Sequence, residues 1–83
     1  MAGETYRAAR KRRKAELESA RRARHAAVLA ALAGGTIVRA AVMASEAGVS
    51  VRTVHRDVET LRARGYRILG EAGVGYQFRG RED

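Results

Sequence analysis

Between Ala40 and Arg64 the chain reads AAVMASEAGVSVRTVHRDVETLRAR, two helical patterns that meet at one glycine. Ahead of the break, Arg39 to Ala47 reads as a short helix with Val38, Met43, Ala44 and Ala47 on its buried side. Val42 is apolar where that spacing predicts solvent. Behind the break, Val54, Val58 and Leu61 stand at i, i+4 and i+7, which puts three apolar side chains on one helix face. Gly48 tolerates the positive φ that a tight helix-helix corner needs. Ala44 is small enough for the two helices to cross closely, and Val49 is expected beneath the corner. Ser50 is placed to cap the second helix by accepting from an orphan N–H of its first turn. Two helices joined this tightly have little surface to share, so further elements must cover their apolar sides.

The flanks supply candidates. From Arg21 to Ala33 the residues Val28, Leu29 and Leu32 join Ala26, Ala30 and Ala31 in a helical period, closed by Gly34-Gly35. His25 on this helix, beside Arg24, reads as a surface residue rather than a ligand or a base. Thr36-Ile37-Val38 is a β-branched run long enough only for a minimal strand edge. After Gly65 the period switches to two. Tyr66–Leu69 and Tyr76–Arg79 are strand candidates, linked through Gly70, Gly73 and Gly75 as a hairpin, with Ile68, Tyr76 and Phe78 turned back on the helices. Gly80 to Asp83 reads as a polar tail. The expected fold is mainly α with a small β-hairpin: a three-helix core plus a wing, over residues 21–80. Residues 1–20 are expected to be a basic arm, either an extension of the first helix or disordered.

Charge narrows the function. The net charge is +8, and fifteen of the seventeen basic residues are arginine, whose planar fork fits phosphates and guanine edges. The alternative is a solubilising surface. There is no cysteine, hence no disulfide or thiolate metal site, and two distant histidines make no zinc site. No apolar run approaches the ~18 residues needed to span a bilayer, and the first charges are followed by more charges rather than by a leader's apolar core. No nucleophile-base pair or pocket-forming carboxylate pair is visible, and the glycines of the hairpin precede no helix that would hold a nucleotide. Neither an enzyme nor a cofactor is expected. The expected location is cytoplasmic, on the nucleoid.

The placement of Arg52 is the most specific functional signal. It stands in the first turn of its helix, where the macrodipole disfavours cations, and Arg56 repeats the charge at i+4. A helix selected for stability alone would carry acids there. A phosphate or a guanine edge removes both penalties. The corner and its second helix therefore read as a helix-turn-helix that enters a DNA major groove, with Ser50, Arg52, Thr53, His55 and Arg56 as contacts. Arg39, at the start of the preceding helix, and Arg67, Gly73 and Arg79, on the hairpin, are expected on flanking backbone or in the minor groove. Arg10, Lys11, Arg12, Arg13 and Lys14 of the arm would add phosphate contacts. Double-stranded DNA is the expected partner, with a homodimer left open. The rival is a protein-interaction module docking on RNA polymerase, a sigma factor or another regulator through Tyr6 and Val42. A third option is RNA binding by the arm alone.

The run Ala47-Gly-Val-Ser-Val-Arg-Thr-Val-His-Arg-Asp-Val-Glu-Thr-Leu-Arg-Ala-Arg-Gly, followed by Gly70-Glu-Ala-Gly-Val-Gly-Tyr, resembles the N-terminal winged helix-turn-helix of DeoR-like bacterial regulators, nearest the group that carries a C-terminal WYL domain. The resemblance spans about Arg21 to Arg79 and implies a three-helix core, a hairpin wing and sequence-specific transcriptional control. His55 stands where the family has tyrosine, and Arg39 where a threonine or serine often caps the helix. The basic lead-in is longer than the family's, and the sequence holds no WYL segment, so ligand sensing by that route is not expected.

Overall fold

The computed structural model describes Gly3, residues 5–71 and residues 73–81. Parts of three sequence assignments lie outside the described residues: Met1, Ala2 and Glu4 of the basic arm, Ala72 of the hairpin link, and Glu82 and Asp83 of the polar tail. The element order is α1 (Tyr6–Leu32), α2 (Ala40–Ala47), α3 (Val51–Ala63), β1 (Tyr66–Glu71) and β2 (Gly75–Arg81). The architecture is the expected three helices and a two-stranded antiparallel hairpin.

Of the two forms open to the arm, the structure shows the helical one. Thr5 caps α1 by accepting from the Ala8 N–H at 3.1 Å, and the helix then runs unbroken through residues 20 and 21 to Leu32. Its buried residues are His25, Val28 and Leu32; Ala20, Arg22 and Ala23 border clefts against the body, and the part from Tyr6 to Ser19 projects beyond it, exposed apart from a half-covered Ala9. No helix among the described residues is long and apolar enough to cross a membrane.

The corner forms as its residues dictate. Gly48 ends α2 at φ 68°, its N–H donating to the Ser45 carbonyl at 3.4 Å, while the Val49 N–H donates to the Ala44 carbonyl at 3.0 Å. This paired closure uses two of the orphan carbonyls at the end of α2. Val49 is half-buried against the core, and Val54, Val58 and Leu61 are fully enclosed. The buried side of α2 is Ala40, Met43 and Ala44; Ala47 is exposed, against expectation, because the chain already turns outward into the corner there. Val42 is 48% exposed, as its spacing requires.

The hairpin closes the remaining side of the core with Ile68 and Tyr76, and Phe78 packs half-buried beside them. Val38 forms an isolated antiparallel bridge to Tyr76, with both N–H···O bonds at 2.8 Å, so the minimal strand edge exists as one residue pair. β2 reaches Arg81, opposite Tyr66, so Gly80 and Arg81 belong to the sheet and not to a tail. Between Tyr66↔Arg81 and Ile68↔Phe78 the register slips by one residue, a bulge that places Arg79 and Gly80 opposite Arg67.

Candidate nucleic-acid interface

α3 begins with a serine cap. Ser50 Oγ accepts from the Thr53 N–H at 3.1 Å and lies 3.0 Å from Thr53 Oγ1. Both hydroxyls therefore hold the first turn in shape as well as bordering it. Arg52 and Arg56 project from the exposed face, and neither guanidinium has a carboxylate partner among the described residues. The first turn of α3 contains no acid. The cationic N-terminal end read from the sequence is thus present and uncompensated.

His55 is placed differently from its neighbours. Its ring is half-buried, edge-on to Tyr76 with centroids 5.9 Å apart at 69°, and its Nε2 is enclosed without a hydrogen-bond partner among the described residues. It joins α3 to β2 as well as lying beside the exposed face. Arg39 is exposed at the start of α2 and makes no side-chain cap.

The wing is held against α3 by a residue outside the expected set. Arg62 Nε donates to the Ile68 carbonyl at 2.8 Å, its second nitrogen to the Gly70 carbonyl at 2.8 Å, and its third to Glu59 Oε1 at 2.6 Å. The same guanidinium lies 5.5 Å from the centre of the Tyr76 ring. One planar fork thus locks the hairpin's direction, running it back along α3. Gln77 Nε2 donates to the Gly35 carbonyl at 2.7 Å and ties β2 to the loop after α1. The sequence hint was Arg62's place in the last helical turn, where arginine meets free carbonyls, but the wing carbonyls it finds are set by tertiary structure. Arg67 and Arg79 are exposed and brought near each other across the bulge, toward the base of the hairpin. Gly73 and Val74 are exposed at the tip, where the Val74 N–H closes the turn on the Glu71 carbonyl at 3.1 Å.

Behind the exposed face, α3 is anchored by a charge cluster. Asp57, 2% exposed, takes a two-point contact from Arg24, with Arg24 NH2 at 2.9 Å from Oδ1, and lies 3.1 Å from His25 Nε2. His25 is 4% exposed, so its reading as a surface residue is corrected. Its partner lies 32 residues away on another helix, beyond the reach of local pattern. An ionised carboxylate only accepts, so His25 Nε2 carries the donated proton, and Nδ1 is left buried without a partner among the described residues. Burial pushes the Asp57 carboxyl up, but the Arg24 hydrogen bonds and the charges of Arg24 and His25 outweigh it, and the net shift is downward. Arg24 is raised, chiefly by its hydrogen bond to Asp57.

A family model described as an HTH (helix-turn-helix) domain matches residues 24–77. The match opens at Arg24, takes in the corner and α3, and ends on β2. Comparison with curated proteins and with solved structures gave no match.

Proposed function

Because the chain belongs to the HTH domain family, we propose that it is a sequence-specific DNA-binding transcriptional regulator that acts by occupying an operator or promoter site. In this reading residues 21–80 are the DNA-binding unit. α3 lies in the major groove with Arg52 and Arg56 on base edges or phosphates, while Ser50, Thr53 and His55 border the contact. Arg39 takes a phosphate, and Arg67, Gly73 and Arg79 of the wing reach flanking backbone or minor groove. The arm, with Arg10, Lys11, Arg12, Arg13 and Lys14, adds phosphate contacts, and the protein sits on the nucleoid. The run from Ala47 to Gly65 and the glycine hairpin from Gly70 to Tyr76 support a place beside the DeoR-like regulators.

The observation that carries the reading is the pair Arg52 and Arg56, both exposed and without a carboxylate partner among the described residues, with Arg52 in the first turn of α3, where a cation is least suited. The test is selection of bound sites from a random duplex pool, followed by binding of Arg56→Ala to the winning site. The variant is expected to lose about 1–3 kcal/mol and to relax discrimination at one base position. Wild-type affinity and an unchanged site preference in that variant would remove α3 from the recognition role.

A further inference from the structure

The free half of α1 is not uniformly basic. Arg7, Lys11, Lys14, Glu18, Arg22 and His25 follow at steps of 4, 3, 4, 4 and 3 residues, which keeps them on one helix face. The last of them is buried against Asp57 of α3. The stripe that seats α1 on the body therefore continues outward as a line of cations interrupted by one acid, Glu18. Arg12, Arg13 and Glu16 lie on the other side of the helix.

This stripe leaves the body where α3 ends. Arg22 shares a cleft with Arg64, just past the end of α3, and with Arg81, whose guanidinium lies 4.7 Å from the centre of the Tyr66 ring. His25, with its unpartnered Nδ1, lines the same cleft, and no carboxylate among the described residues does. From Tyr6 to Ser19 the helix overhangs by about 20 Å at 1.5 Å per residue. Arg64 lies about 18 Å along α3 from Arg52 by the same rise. Cations thus gather at both ends of α3, and those at the far end form a line rather than a spot. A small anion would meet only the cleft; an extended polyanion matches the line.

We propose that the groove lined by Arg22, Arg64 and Arg81, continued outward by the exposed stripe of Arg7, Lys11 and Lys14 on α1, holds the sugar-phosphate backbone of a second duplex DNA segment. It rests on the reading of α3 given above only in that this segment is the second. A chain engaged at both ends links two duplexes and acts as a connector as well as an occupant of one site.

The stoichiometry decides. Sedimentation velocity with a labelled duplex of about 16 base pairs, at about 50 mM salt where phosphate contacts are strongest, counts duplexes per chain. Two are expected for the wild type. Lys11→Gln/Lys14→Gln/Arg22→Gln/Arg64→Gln, all exposed positions, is expected to bind one and to keep its site preference. Saturation of the wild type at one duplex, or two duplexes on the fourfold variant, overturns the groove. Arg52→Gln/Arg56→Gln is expected to retain one duplex through the groove. If it retains two, the reading of α3 fails and the groove stands.

Discussion

Asp57 shows how a residue of α3 can serve the fold while its neighbours serve the surface. It sits beside Arg56 in the chain, yet it points inward to Arg24 and His25 of α1 and fixes how α3 lies on that helix. A carboxyl held lower in the folded chain than in the unfolded one stabilises the fold at pH above its unfolded value, near ~4, and the contribution drains away as pH falls through the folded value. The net downward shift of Asp57 gives that sign. Asp57→Asn is expected to cost about 3 kcal/mol, since it leaves Arg24 and His25 without their buried counter-charge. Thermal melting across pH checks both parts. The wild type should lose stability as pH drops below about 4, and the variant should start lower and lose less over the same range. Equal acid losses in the two proteins would show that Asp57 does not carry the titration. At this scale the sequence was legible where a residue's role is local. Ser50 as cap, Gly48 as corner and Val54, Val58 and Leu61 as core all follow from neighbours within one or two turns. His25 and Arg62 were misread or passed over because their partners come from other elements.

Among the elements, the hairpin depends most on small residues. Gly70 lies opposite Tyr76 at φ 109°, and a Cβ built there would stand 1.9 Å from the Gly75 carbonyl oxygen. Backbone rather than a movable side chain occupies the space, and the φ is one that L residues rarely adopt. Gly70→Ala is therefore expected to cost more than ~2 kcal/mol and to free the wing locally. Hydrogen exchange at the β1–β2 amides should report it, with faster exchange there than at the α3 amides around Val58. Uniform protection in both proteins would mean that the strand re-forms around the new methyl. The hairpin's existence was readable from the period-two runs and their glycines, but its direction was not. That direction is set by the Arg62 fork on the Ile68 and Gly70 carbonyls and by the His55–Tyr76 contact, neither of which leaves a periodic trace. The free half of α1 is the opposite case. Its helical propensity was plain, whereas its length as one continuous helix was not, because no apolar stripe marks it.

At the scale of the whole molecule, the proposed function predicts that the body carries site preference and the overhang adds affinity without it. The HTH match begins at Arg24 and leaves the overhang outside it. Pairing two chains side by side through the overhangs would set one cationic stripe against another, so that half of α1 is a poor seam for a homodimer and a good one for a polyanion. Repulsion within it is also real: Arg7 and Lys11 at i+4, Lys11 and Lys14 at i+3, and Arg10 and Lys14 at i+4 each cost a few tenths of a kcal/mol. Helix without packing is marginal in water at this length, so added phosphate charge should stiffen it. Removing residues 1–20 should therefore act on charge alone. On a long random duplex, the slope of log K against log salt should become shallower by about 4 to 5, since Arg10, Lys11, Arg12, Arg13 and Lys14 each release close to one counterion. The ratio of specific to non-specific affinity should stay the same, because Arg52 and Arg56 remain. Fluorescence anisotropy over a salt series, with the selected site and a scrambled one, measures both quantities. A truncated protein that keeps the full slope would place the counterion release on the body, and one that loses its site preference would make the overhang part of sequence recognition.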